Sequence, residues 1–334
     1  MSFEFPVLIG DIGGTNARFA LVRDENTQTQ RFEPVRLADF PQIEQAIEAT
    51  VLKPGGIRPA TTLLAIATPL VGECFRLTNA EWTIDPNRMI SGFGLNEVVL
   101  MNDFAAQGLA ALALGSEYLA PLGAGSIVAG QPKAVLGPGT GLGIAQIVNV
   151  EGKWTIIPGE GGHIDLGPRT GREFAIWPHL VKLDGRVSAE EALSGRGIEN
   201  LYGAVCAADG IADNQPGAAG ISAMALARSN PQAMEAINLF VALIARVAGD
   251  LALLTLARGG VYLSGGIAQK LLPGMDHRLF RAEFENKLPH RAIMASIAVN
   301  VMIHPTSALE GLAAWVRNPA RFSVEGAARR FKAQ

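Results

Sequence analysis

The chain has few of the residues that mark a secreted protein or a polyanion binder. Only two cysteines occur in 334 residues, Cys74 and Cys206, and neither has a C-x-x-C partner. That spacing excludes a disulfide framework and a cysteine metal knuckle, so both read as reduced core residues. Charged residues are also sparse at 18%, with 28 Lys and Arg against 31 Asp and Glu and no basic block. Nothing in that balance draws the chain to nucleic acid or to an anionic membrane. The short apolar run Val7 to Ile9 has no basic segment before it and no small-residue cleavage site after it, so it does not read as a signal peptide. The most apolar long stretch, Val241 to Ala257, is broken by Arg246 and Asp250 and reads as a buried helix, not a membrane span. A cytoplasmic enzyme with no membrane contact is expected.

Apolar residues, by contrast, make up 49% of a chain long enough for two ordinary domains, each with its own core. Glycine is plentiful and clustered. The apolar run Val7 to Ile9 enters Gly10-Asp11-Ile12-Gly13-Gly14-Thr15-Asn16, and an alternating run, Ala17 to Val22, follows at once. This is the pattern of a strand, a tight glycine turn and a returning strand. Turn glycines let backbone N–H groups approach a ligand, and a concavity of N–H groups favours an anion such as phosphate. Asp11 would repel a bare phosphate but suits one bridged by a divalent cation. The same pattern recurs at Ala134-Val135-Leu136, Gly137-Pro138-Gly139-Thr140-Gly141-Leu142-Gly143 and Ile144 to Val148. Neither copy is a P-loop, since no Lys-Ser or Lys-Thr closes it, and neither is a dinucleotide fingerprint, since no helix follows directly. Two such loops far apart in sequence point to two lobes closing on one polyphosphate.

Between the loops, Arg31 to Leu37 could supply a third strand. Ile43, Ile47 and Val51 follow a helical period that Pro54-Gly55-Gly56 ends. Thr61 to Ala67 and Glu97 to Met101 are apolar runs of strand length, as strands buried on both faces require, and Thr68-Pro69 breaks the first. Strand, helix, strand is a crossover unit. Phe104 to Leu114 reads as a helix. Beyond the second loop the pattern gives a strand at Trp154 to Ile157, helical regions at Ser188 to Asp209 and Pro231 to Leu256, and a surface loop at Gly210 to Gly220. A strand and Gly turn follow at Gly259 to Ile267, then a short strand at Val299 to Ile303 and a helix at Ser307 to Val316.

Several residues carry chemistry in this pattern, each with a plainer alternative. Asn102 and Asp103 stand at the C-terminal end of a buried strand, where open α/β sheets bind ligands. Asp103 is therefore a candidate general base, or else the N-cap of the helix that follows. Glu160 and His163 flank Gly161-Gly162 on a turn where both side chains can converge on a polar ligand. They could also be a zinc-like pair, although the glycines argue against the helix such a pair needs. Glu190 opens a helical run and could simply favour its dipole. Gly265-Gly266 could be an ordinary strand-to-helix turn. Arg18 lies on the returning strand and is expected to point away from the phosphates.

The first loop, Met101-Asn102-Asp103-Phe104, the second loop and Gly159-Glu160-Gly161-Gly162-His163 occur in that order. The set resembles the bacterial ATP-dependent glucokinases of the hexokinase/actin/Hsp70-like superfamily, over Gly10 to about Gly311. The resemblance implies a two-lobed, ribonuclease H-like α/β fold. Residues 1–110 would form a smaller α/β lobe, rejoined by a C-terminal helix from about 310 to 334, and residues 111–309 a larger α+β lobe. It implies transfer of the γ-phosphate of ATP to the 6-hydroxyl of glucose with Asp103 as base. Asn102, Asp103, Glu160, His163 and Glu190, the last just ahead of Leu193 to Gly197, would hold the sugar, although Glu191 beside it leaves the register open. Gly10, Asp11, Ile12, Gly13, Gly14 and Thr15 would hold the nucleotide, with Gly137, Gly139, Thr140, Gly141, Gly265 and Gly266, and Asp11 would hold Mg²⁺. A homodimer is implied as well. A kinase for another hexose or an amino sugar would keep this chemistry. A sugar sensor of the same fold would be expected to carry a helix-turn-helix ahead of Phe5, and an Hsp70-like ATPase a substrate domain after Gly311; the sequence has neither.

Overall fold

The computed structural model describes residues 2–68, 70–77, 81–324 and 326–333. Pro69, part of the expected break after the third buried strand, lies outside them. The chain forms two compact units. One comprises Met1–Tyr118, Ile147–Pro158 and His304–Gln334, and the other Leu119–Gln146 and Gly159–Ile303.

The first unit is built on a seven-stranded sheet in the order Ala328–Lys332, Glu97–Asn102, Thr61–Ile66, Val7–Ile12, Asn16–Val22 and Gln30–Arg31, with Val35–Arg36 also paired to Asn16–Val22. Thr61–Ile66 is buried at every position, as its apolar run predicts. Val7–Ile12, Thr61–Ile66 and Glu97–Asn102 run parallel and in step, so that Ile12 faces Ile66 and Ile66 faces Asn102. Their C-terminal ends therefore lie on one edge of the sheet. At the spacing of sheet strands, Ile12 and Asn102 are about 10 Å apart. This register puts the first glycine loop and the Asn102-Asp103 pair side by side.

The helix Asp103–Ala113 leaves that edge and packs against Ser307–Arg317. A Cβ on Gly311 would meet Ala106 O and Ala110 N at 2.5 Å, so a glycine is what lets the two helix backbones approach. Two expectations are corrected in this unit. Arg31 to Leu37 yields two short pairings, Gln30–Arg31 and Val35–Arg36, instead of one strand. The C-terminal helix expected from about 310 to 334 ends at Arg317, and the tail beyond it forms a strand, Ala328–Lys332, antiparallel to Glu97–Asn102.

In the second unit Lys133–Pro138 is flanked by residues 142–146 and by Val261–Leu263, followed by Val299–Met302 and Leu119–Pro121. The core gathers around the helix Pro231–Thr255, capped by Asn230 Oδ1 on the Ala233 N–H at 2.8 Å and ended by Leu256 at φ +48°. It is long and apolar enough to cross a membrane, but 78% of its apolar window is buried inside the protein, which marks a core helix. The Gly210–Gly220 stretch is not all loop: a helix begins within it at Gly217–Leu226. Its alanines favour helix once Ile221 is buried, and this outweighs the glycine signal.

Candidate active site

The first loop is the two-residue turn Gly14-Thr15, closed by Gly13 N–H donating to Asn16 O at 3.1 Å. Gly10 lies beneath it, where a Cβ would sit 2.6 Å from Leu64 Cδ2. Packing, not ligand access, requires that glycine. Asp11 and Arg18 are directly paired in the hairpin register, with Nη1 3.4 Å from Oδ2. Arg18 therefore does not point away from the loop. Residues opposite each other in an antiparallel pair share a face, and that puts Arg18 beside Asp11. Burial pushes the Asp11 carboxyl above the ordinary range, and the Arg18 guanidinium offsets only part of this.

At the neighbouring strand end, Asn102 is the helix cap: its Oδ1 accepts from Phe104 N at 2.9 Å and Ala105 N at 3.1 Å. Asp103 is the first helical residue, half-buried, with Oδ1 2.9 Å from the Phe104 N–H. Of the two readings of Asp103, the capping role thus belongs to its neighbour.

In the second unit the loop Gly139-Thr140-Gly141 closes by Gly139 N–H donating to Gly141 O at 2.7 Å, and Thr140 is exposed. Gly139 O accepts from Gly195 N at 2.9 Å, which ties the loop to the helix Gly195–Asp209. Gly265, at φ +89°, lies against the same loop, and a Cβ there would meet Pro138 O at 2.7 Å. Gly266 opens onto free space and starts the helix Gly266–Leu271. Gly137, Gly139, Gly141 and Gly265 are thereby gathered into one glycine-lined corner.

Glu190 joins that corner. Its Oε2 accepts the Leu142 N–H at 2.9 Å and fills the space where a Gly141 side chain would stand. Glu191, beside it in sequence, is buried and ion-paired with Arg196, and its Oε2 accepts from Asn200 Nδ2 at 3.3 Å. Arg196 also comes within 4.0 Å of Glu190 Oε1. The two glutamates are thus separated: one packs inward and the other lies against the glycine loop. No motif flagged Arg196; the two adjacent glutamates, which need a cation between them, were the available signal.

Glu160-Gly161-Gly162-His163 forms a single 3₁₀ turn with His163 N–H donating to Glu160 O at 3.0 Å, and both side chains are exposed. A Cβ on Gly162 would stand 2.1 Å from Leu142 O, so the turn packs directly on the strand after the second loop. Among the described residues no group of three His, Cys, Asp or Glu side chains that could hold a metal ion occurs. Asp11, Asn102 and Asp103 thus meet on one sheet edge of the first unit. Glu160, His163 and Glu190, with Gly137 to Gly141 and Gly265-Gly266, surround the Leu142 strand end in the second.

A family model described as Glucokinase matches residues 8–319. A glucokinase from Mesorhizobium japonicum is 48% identical over 332 residues, covering 99% of this chain and 97% of that protein. Among solved structures, a glucokinase from an Antarctic psychrotroph superposes with a TM-score of 0.81 at 31% identity, over 94% of this chain and 99% of that one. A ROK-family glucokinase from Streptomyces griseus, solved with glucose and AMPPNP, shares the fold with a TM-score of 0.61 at 19% identity, over 94% and 99%. These neighbours agree with the mixed α/β sheets described above.

Proposed function

The chain belongs to the glucokinase family, and on that premise we propose that it moves the γ-phosphate of ATP to the 6-hydroxyl of glucose, giving glucose 6-phosphate and ADP. The observation that carries this reading is the parallel register of Val7–Ile12 and Glu97–Asn102, which sets a phosphate-type loop and a carboxylate about 10 Å apart on one sheet edge. That distance suits a base and a phosphate chain with a hydroxyl between them.

In this mechanism Asp103 accepts the proton of the sugar 6-hydroxyl as its oxygen bonds to the γ-phosphorus. The bond from the γ-phosphorus to its bridging oxygen breaks, and ADP leaves. Asn102, Asp103, Glu160, His163 and Glu190 hydrogen-bond the sugar hydroxyls, since each one left unpaired on burial would cost about 1–3 kcal/mol. The loops Gly10 to Thr15 and Gly137 to Gly141 hold the phosphates, through backbone N–H groups other than those of Gly13 and Gly139, which close the turns, with Thr140 adding its hydroxyl. Gly265 and Gly266 leave room for the adenosine. The residues also fit Mg²⁺: Asp11 is a carboxylate on the phosphate loop, and Mg²⁺ is commonly bound through one carboxylate and its own waters. When bound, the ion would neutralise phosphate charge.

The same reading places the enzyme in the cytoplasm as a homodimer, and divides it into a lobe of residues 1–110 rejoined by 310–334 and a lobe of 111–309. The compactness of Met1–Tyr118 with His304–Gln334 supports the first lobe, although Ile147–Pro158, inside the 111–309 range, groups with it too. The test is an ATP- and Mg²⁺-dependent phosphorylation assay over glucose, fructose, mannose and N-acetylglucosamine, beside Asp103→Ala. Preference for glucose, lost in the variant while ATP still binds, is the expected result. Turnover of a different sugar would replace the substrate, and undiminished turnover by Asp103→Ala would remove the base.

A further inference from the structure

Arg186 has no part in the reaction described above, yet its guanidinium holds the turn that carries His163. Nη1 donates to the His163 carbonyl at 2.7 Å and to Asp165 Oδ1 at 2.8 Å. The arginine is presented by a two-residue turn. Leu183 and Arg186 exchange backbone hydrogen bonds of 2.9 and 3.1 Å, and Asp184 and Gly185 between them both have positive φ, +51° and +81°. This is the backbone of a tight hairpin, whose register allows Arg186 little choice of direction.

Beyond the turn, the segment pairs with the residues after His163. Leu166 N–H donates to Val187 O at 3.0 Å and Ala189 N–H to Ile164 O at 2.8 Å. The next residue is Glu190. The hairpin therefore ties together the segments that carry His163 and Glu190, both assigned to the sugar.

Stability does not account for Arg186. Its side chain is 49% exposed and that of Asp165 77%, and exposed ion pairs contribute little. The bond to the His163 carbonyl is different, because it restrains a turn that sequence leaves loose. Gly161 and Gly162 have the widest backbone freedom of any residues. Strand packing holds the turn at Gly162, where Leu142 O leaves no room for a Cβ. Past that point, the His163 carbonyl is held by the arginine.

We propose that Arg186 is a positioning residue for sugar recognition, which orders the Glu160–His163 turn by charge-assisted hydrogen bonding to the His163 carbonyl. The proposal rests on the sugar-binding role given to that turn. It separates sugar affinity from the phosphoryl-transfer step, because Arg186 orders a turn assigned to the sugar and not to the base or the phosphates.

The experiment measures kcat, KM for glucose and KM for ATP, together with calorimetric glucose affinity without nucleotide, for the native enzyme and for Arg186→Ala, Arg186→Lys and Asp165→Ala. Arg186→Ala is expected to raise glucose KM and Kd about tenfold, the loss of one charge-assisted bond, with kcat and ATP KM within about twofold. Arg186→Lys, which keeps a cationic donor, should recover most of the affinity, and Asp165→Ala should change it less than threefold. An unchanged glucose KM and Kd in Arg186→Ala would overturn the proposal. So would equal losses in kcat and ATP KM, a lysine variant as impaired as alanine, or an Asp165→Ala variant as impaired as Arg186→Ala. If the native protein binds glucose but does not phosphorylate it, the functional reading fails, and the proposal is then judged on Kd alone. If the native protein does not bind glucose, both fail.

Discussion

Arg18 stands opposite Asp11 across the first hairpin, its Nη1 3.4 Å from Oδ2, and is the more exposed of the two side chains. The carboxylate thus pays most of the desolvation cost, which is why its pKa rises despite a cation beside it. A group held for a ligand is commonly a burden on the unliganded protein. Between the ordinary carboxylate range and the raised folded value, the native state binds more protons than the unfolded chain, so this group's contribution falls as pH rises.

Asp11→Asn should therefore lose at least about 100-fold in kcat, as removal of a directly acting electrostatic group does. Its melting temperature without ligands should be equal to native near pH 4 and higher than native at pH 7. Thermal scans at the two pH values check this. A melting temperature below native at pH 7 would show that the Arg18 pair stabilises the fold.

Because Asn102 and not Asp103 caps the helix Asp103–Ala113, adjacent substitutions should separate activity from stability. Asp103→Ala should lower kcat by about 10²–10⁴, the usual worth of a general base, with little change in denaturant midpoint. Asn102→Ala should destabilise by about 1 kcal/mol through the lost cap and also raise glucose KM. Urea titrations beside steady-state kinetics make the comparison.

Much of this arrangement is legible in sequence where local chemistry decides the structure. The glycine turns between apolar runs, the fully buried strand at Thr61 and the helix after Asn102 all follow from short-range rules. Arg18 is misread because its direction depends on the hairpin register, and only a two-residue turn, Gly14-Thr15 between Gly13 and Asn16, pairs it with Asp11. Glu190 and Glu191 cannot be told apart by sequence, since both open the same helical turn. Arg196 and the Leu142 N–H, which separate them, are brought there by tertiary packing. The strand Ala328–Lys332 is hidden for a similar reason: four of its five residues are charged, aromatic or basic in no clear alternation, and its partner is more than 200 residues away.

The bond from Leu142 N–H to Glu190 predicts that this carboxylate serves more than the sugar. Its removal strips a partner from a backbone N–H one residue beyond Gly141, and a freed donor costs about 1–3 kcal/mol if it stays dry. Glu190→Ala should raise KM for ATP as well as for glucose, each by about three- to thirtyfold. An effect on glucose alone, measured with ATP saturating and then limiting, would show that the loop does not depend on it.

Arg246, on the core helix Pro231–Thr255, is clamped by Glu173 through two bonds of 2.7 Å and by Glu283 through a third. Burial alone would raise the Glu173 carboxyl, but Arg246, the Arg169 N–H and Thr170 hold it below the ordinary range. Its stabilising contribution is therefore complete at neutral pH and lost as pH falls below about 4.5. Arg246→Ala should cost about 3–5 kcal/mol at pH 7, since it strands a buried carboxylate. The double variant Arg246→Met with Glu173→Met should recover part of that loss. Urea denaturation at pH 7 and pH 4 distinguishes the pair's contribution from simple loss of packing.

Lys133 gives the opposite pH dependence. Its ammonium is buried, donating to Gly259 O at 2.7 Å and Tyr262 Oη at 2.9 Å, and burial lowers its pKa from 10.5 to about 8. Between those values the unfolded chain binds the proton that the native state has released, so stability rises with pH. Tyr262 does not interfere, because burial pushes its hydroxyl up to about 12 and it stays neutral across the window. In Lys133→Met, Gly259 O keeps a donor, since Tyr262 Oη lies 3.0 Å from it. The native protein should therefore gain about 1–3 kcal/mol on the variant between pH 7.5 and 10. Paired urea titrations across that range measure the difference. A constant gap would mean that the ammonium remains fully protonated in the fold, with Gly259 and Tyr262 offsetting the whole cost of its burial.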